Sequence, residues 1–130
     1  MSDLTRVHLP DLEDHAANAE GMDDLSFRGA REALGCEKSG LSLQSVAPGA
    51  RQPFGHHHGA EEEIYLVLKG GGTMRAGSDD VELRPMDAIR VAPGVTRAIE
   101  AGPDGIEFVA FGSPGGGQAD GEMLPGWWGD

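Results

Sequence analysis

Residues 56–70 read HHHGAEEEIYLVLKG, and this stretch decides how the rest of the chain is read. Successive side chains of a β-strand point to opposite faces. A strand through 56–58 therefore sends His56 and His58 one way and His57 the other, with the first two imidazoles about 6–7 Å apart. Glu63, after the short turn at Gly59-Ala60, opens the strongest strand of the chain, 63–69 (EIYLVLK), a compact run with Ile, Tyr and Val. Two imidazoles and one carboxylate make the facial ligand set that holds iron(II) and also suits manganese, nickel or zinc. A solvated His tract followed by a charged strand entry is the plainer alternative. The ordered spacing His56, His58, Glu63 and the terminating Gly70 favour the metal reading.

Outward from this stretch, the pattern predicts many short strands. Leu25–Arg28 and Leu41–Ala47 precede it, the second with a weak period of two. Pro48–Gly55 reads as a turn-rich loop, and Gly70-Gly71-Gly72 reads as a break after the central strand. Thr73–Ala76 and Val81–Leu83 flank a hairpin loop at Gly77-Ser78-Asp79-Asp80. Asp87–Val91, Thr96–Glu100 and Ile106–Phe111 follow, separated by Pro93-Gly94 and by Gly102-Pro103-Asp104-Gly105. Such spacing, without an internal repeat, predicts one all-β domain of closed or double-sheet form. Asp11–Glu20 is a candidate short helix between Pro10 and Gly21 with a thin apolar face. The expected organisation is an extended N-terminal arm over 1–24, a barrel over 25–112, and a tail over 113–130. Residues 112–121 (GSPGGGQADG) form a flexible connector from the barrel into this tail. The adjacent Trp127 and Trp128 are expected to pack on the barrel or on a second subunit, because two neighbouring indoles seldom stay in water.

The composition agrees with this class and excludes others. The 130 residues contain 21 Gly and 8 Pro, in keeping with many tight turns. A formal charge of −12 with scattered cations argues against nucleic-acid and anionic-membrane partners. Cys36 is the single cysteine, so no internal disulfide is available. No apolar run is long enough to span a bilayer and no signal peptide is legible at Met1–Pro10, so a cytoplasmic location is expected.

Residues 56–70 resemble the first conserved motif of the cupin superfamily, G-x5-H-x-H-x(3,4)-E-x6-G. His56, His58, Glu63 and Gly70 fit its spacing, while Gly49 lies one residue further upstream than the motif asks. Residues 86–101 (MDAIRVAPGVTRAIEA) resemble the second motif in part. Gly94 fits, Met86 stands for Gly, Ala92 for Pro beside Pro93, and Ala101 for Asn. Arg97 stands where cupins place a third histidine ligand. The resemblance covers about residues 41–111. It implies a double-stranded β-helix, or jelly-roll, cupin barrel. It also implies a pocket for a small molecule, a divalent metal on His56, His58 and Glu63, and a homodimer. Ile64, Leu66 and Leu68, on the strand face opposite Glu63, add weight to the dimer because another sheet or subunit must cover them.

Arginine cannot ligate a metal, and a guanidinium about 5 Å from a divalent ion costs ~6–7 kcal/mol at an effective dielectric of ~20. Three arrangements satisfy it. Arg97 pairs with a carboxylate (Glu62, Glu100 or Glu107), or an anionic substrate bridges it to the metal, or the pocket holds an anion and no metal. The first two together are expected. Arg97 and Tyr65, two residues beyond Glu63 on its face, are then candidate substrate contacts. The chemistry expected is that of a metal-dependent enzyme on a small anionic metabolite, of dioxygenase, isomerase or decarboxylase type. A non-catalytic small-molecule or anion-binding module is the alternative.

Overall fold

The computed structural model describes residues 3–113 and 121–129. Among these, the strands are β1 (Leu25–Gly29), β2 (Gly40–Val46), β3 (Phe54–His58), β4 (Glu62–Ala76), β5 (Asp79–Leu83), β6 (Ala88–Val91), β7 (Arg97–Ser113) and β8 (Gly121–Pro125). One helical turn, α1 (Arg31–Leu34), joins β1 to β2. Every ladder is antiparallel.

The two long strands organise everything else. The first half of β4 pairs with the second half of β7, from Glu62↔Ser113 to Val67↔Phe108. On that side β2 and then β1 extend the ladder beyond β7, and β6 extends it beyond β4. The second half of β4 pairs with the first half of β7, from Gly72↔Ala101 to Ala76↔Arg97. There β5 flanks β4, and β3 and then β8 flank β7. Two curled sheets result, and each uses half of the same two strands. Their inner faces share one core: Val46, Tyr65, Val67, Phe108 and Ala110 from the first sheet meet Met74, Leu83, Ile99 and Ala101 from the second. This is the jelly-roll form of a β-barrel.

The structure corrects two strand breaks expected from sequence. Gly70-Gly71-Gly72 does not end β4, and Gly102–Gly105 does not divide β7. Both segments are bends inside continuous strands, marked by register shifts at Val67/Lys69 and Gly70/Gly72. The glycines are needed because backbone passes against backbone there. A Cβ on Gly70, which has φ 70°, would strike the carbonyl oxygen of Gly105, and one on Gly72 would strike that of Glu100. Glycine in these strands marks a corner, which pattern reading cannot tell from a terminus.

Asp11–Glu20 forms no α-helix either, and only Asp11 lies in a helical turn, the 3-10 turn Leu9–Asp11. The Asp14 carboxylate accepts from the backbone of Phe27 (2.9 Å) and of Ala16 (3.0 Å), and His15 N–H donates to Phe27 O at 2.8 Å. The arm thus spends its hydrogen bonds on β1, and its buried residue is Ala16. The turn before β6 keeps the backbone its motif position demands, although the residue is not glycine: Met86 has φ 73°, with Asp87 N–H on Arg84 O at 3.0 Å. Pro85 then Met86 form the centre of a type II-like turn.

Of the connector expected over 112–121, residues 114–120 lie outside the described residues. Beyond it, β8 pairs with β3 from Phe54↔Pro125 to His58↔Gly121. Both tryptophans close on the barrel. Trp128 donates to Gln52 O at 2.7 Å, and the guanidinium groups of Arg51 and Arg75 lie over its ring at 5.0 and 5.1 Å, which adds cation–π attraction. Trp127 covers Gly55 so closely that a Cβ there would meet its ring.

Candidate metal centre

The expected ligands come together, but across the barrel interior and not along one ladder. His56 and His58 lie on β3, in the second sheet, while Glu63 lies on β4, in the first. β3 forms no ladder with β4; its partners are β7 and β8. Alternation turns His56 and His58 inward from one sheet and Glu63 and Tyr65 inward from the other. One donor atom from each of His56, His58 and Glu63 falls within 4.8 Å of the others. His56 Nε2 is 3.8 Å from Glu63 Oε1, and His58 Nε2 is 3.9 Å from Glu63 Oε2. The two imidazoles meet edge to face with centroids 5.5 Å apart.

Arg97 sits directly behind this group, paired in register with His56. Its partner carboxylate is none of those expected from sequence. Glu62 binds Arg90 at 2.5 Å and Glu100 lies 3.6 Å from Arg51. Arg97 takes Glu63 itself: Nη2 donates to Oε1 at 2.5 Å. Nε donates to the Tyr65 hydroxyl at 3.0 Å and Nη1 to Val95 O at 3.1 Å. The Tyr65 hydroxyl is also 3.4 Å from His56 Nε2. With Arg97 only 1% exposed and Tyr65 2%, both stand behind the ligand group.

The electrostatics follow from this packing. Burial opposes the charge on Glu63. The hydrogen bond with His56 and the Arg97 charge outweigh it and hold the carboxyl at about 2. Burial, reinforced by the Arg97 charge, lowers the pKa of His56 against the pull of Glu63. Burial and the Glu63 charge push the Tyr65 phenol well above its usual range. Glu63 is therefore anionic and His56 neutral at neutral pH, the protonation states a metal ligand needs. One nitrogen from each imidazole and the Oε2 side of the carboxylate form a three-donor set for a divalent transition ion, so the residues present fit such an ion. Arg97 occupies the fourth quarter.

Glu61 is a further residue of this site, within the charged entry 61–63 to β4. Its Oε2 lies 3.3 Å from His58 Nδ1, which leaves Nε2 as the nitrogen turned toward Glu63. A carboxylate on the far nitrogen of a ligand histidine fixes ring orientation and tautomer. The signal in the sequence was three consecutive glutamates, too ambiguous to say which one turns inward.

The His56–His58–Glu63 group opens on a cavity of about 660 Å³ enclosed by β1, β2, β3, β8 and the N-terminal arm. Arg97 and Tyr65 are not among its lining residues.

A fold of two curled sheets with inward-facing His-x-His and Glu defines a class, and comparison with known proteins agrees. The family model for a cupin domain matches residues 42–109, just over half of the chain. The chain belongs to the cupin superfamily. Among solved structures it is similar to a cupin protein from Bacteroides fragilis, with 25% identity and a TM-score of 0.72 over 89% of this chain and 88% of that one. A sugar phosphate isomerase of the cupin superfamily from Silicibacter pomeroyi shares the fold, at 20% identity and a TM-score of 0.69 over 83% and 74%. Among curated proteins, auxin-binding protein 5 of Zea mays is 38% identical over 63 residues, 48% of this chain and 40% of that protein. The chain therefore spans less than half the length of that relative. Among the described residues, no helix is long and apolar enough to cross a membrane.

Proposed function

We propose that this chain is a metal-dependent cupin enzyme. It holds a divalent transition ion (iron, manganese, nickel or zinc) through His56, His58 and Glu63 and acts on a small molecule bound in the adjoining cavity. The observation that carries this reading is the convergence of the three donor residues within 4.8 Å on the wall of that cavity. A bound ion would supply Lewis acidity and open coordination positions facing the cavity. Glu61 orients His58, and Tyr65 reaches His56 from behind. Arg97 keeps Glu63 ionised and pulls its Oε1 to one side. In this reading Arg97 and Tyr65 serve the ligands and not the substrate, and the anionic substrate expected from Arg97 loses its support. Elemental analysis of protein purified without a nickel column should find about one transition ion per chain. His56→Ala and His58→Ala should each reduce that content at least tenfold. A content far below one ion, unchanged by either substitution, would sink the reading.

The arginine in place of a third imidazole favours a second reading, a binding module that does not turn its ligand over. A ligand that raises the melting temperature and is recovered unchanged after prolonged incubation with metal-loaded protein would select it.

The chain is also proposed to form a homodimer through the outer face of the first sheet. Ile64, Leu66 and Val109 are partly exposed there, and Phe111 is exposed. Ile64 pairs with Phe111 and Leu66 with Val109, so the four side chains share one face. Sedimentation velocity should give twice the chain mass, and Phe111→Glu should return the monomer. A wild-type monomer at tens of micromolar would exclude this interface.

A further inference from the structure

The walls of the cavity specify its ligand more narrowly than the fold does. Strand alternation turns Leu25 and Phe27 of β1 inward from the first sheet, and Phe54 of β3 and Met123 of β8 inward from the second. Met22 of the arm completes an apolar wall beside the His56–His58–Glu63 group. Ser42 and Gln44 contribute neutral hydrogen-bonding groups, with Gln44 Nε2 donating to Ser42 Oγ at 2.9 Å. The charged groups leave no anchor for an anion. Glu61 and Glu63 are engaged with His58 and Arg97. Arg31 is the only Lys or Arg among the lining residues described, and it donates to the carbonyls of Ser39 (3.2 Å) and Glu37 (3.4 Å). A phosphoryl group is ordinarily recognised by convergent guanidinium or ammonium donors. A polyhydroxylated body needs a polar partner for each hydroxyl it buries. Among the described lining residues the first provision is absent, whereas hydroxyl and amide groups stand at Ser26, Ser42, Gln44, Ser45 and Gln52.

We infer that the site takes a small, largely apolar molecule, aromatic or aliphatic, with a single oxygen or nitrogen donor at the His56–His58–Glu63 end. It discriminates against phosphorylated metabolites, and Phe27 is a specificity-determining residue. The donor end rests on the metal reading above, whereas the apolar body rests on the wall alone.

Calorimetric titration of the full chain with 4-methylphenol and with glucose 6-phosphate, after manganese loading and again after EDTA treatment, tests the inference. In the loaded chain the phenol should bind at least ~10-fold more tightly than the sugar phosphate. Phe27→Ser should weaken phenol binding by ~10-fold or more, and Phe27→Leu, which keeps an apolar wall, by less than ~3-fold. Neither substitution should change the manganese content. Equal or tighter binding of glucose 6-phosphate, or phenol affinity indifferent to Phe27→Ser, would overturn the inference. A chain that takes up no manganese but still binds the phenol in a Phe27-dependent way overturns the metal reading and leaves the apolar site standing.

Discussion

Replacing Arg97 with methionine is expected to lower the unfolding free energy by about 3–5 kcal/mol, the cost of breaking a buried ion pair by removing one partner. Methionine fills most of the volume, so the loss is electrostatic and not a cavity effect. Glu63 would keep its burial and lose the guanidinium at 2.5 Å, and the Tyr65 oxygen would lose its donor at 3.0 Å. The pH dependence identifies the cause. In the native chain Glu63 is depressed from 4.5 to about 2. Its contribution is thus complete above about pH 4.5 and is lost as the pH falls toward 2. His56, whose pKa is also lowered, contributes in the same sense: stability present above its unfolded value of 6.5 declines as the pH falls below it. Urea titrations at pH 7 and pH 3 should show the gap between wild type and Arg97→Met narrowing in acid. A gap that is small at pH 7, or as large at pH 3, would show that Arg97 contributes to the core by packing alone.

Arg97→His is expected to strengthen the metal site, raising affinity for zinc or manganese by at least ~100-fold. Two effects add. The substitution removes a fixed cation whose repulsion of a divalent ion is ~6–7 kcal/mol at ~5 Å and an effective dielectric of ~20, an upper bound once Glu63 screens it. It also sets an imidazole beside His56, the residue with which position 97 is paired in register. The two single changes separate these effects. Arg97→Met removes only the repulsion, so its affinity should fall between wild type and Arg97→His. Competition titration against a metallochromic chelator reads both variants. Affinity unchanged in Arg97→His would mean that the ion does not bind at His56, His58 and Glu63.

Much of this protein was legible along the chain. Period-two alternation depends on nearest neighbours only, so the central strand and the inward direction of His56, His58, Glu63 and Tyr65 could be read from spacing. The cupin resemblance rested on those same residues. Strand corners could not be read, because Gly70–Gly72 and Gly102–Gly105 look like ends in one dimension. Only the close passage of β4 against β7 shows them to be bends. The helix expected over Asp11–Glu20 failed for a related reason: its hydrogen-bonding partner, the backbone of Phe27, is distant in sequence.

The metal motif is the feature in which sequence and tertiary structure divide most sharply. By itself the sequence determined which residue types are available: two histidines of one parity, a glutamate, and an arginine where a third imidazole would stand. Tertiary structure alone decided their relations. It brought Glu63 to the histidines across the barrel, chose Glu63 over Glu62, Glu100 and Glu107 as the partner of Arg97, and turned that guanidinium away from the cavity. Charge pairing depends on the distance between side-chain tips, and those tips belong to strands of opposite sheets. Spacing along the chain does not encode that distance.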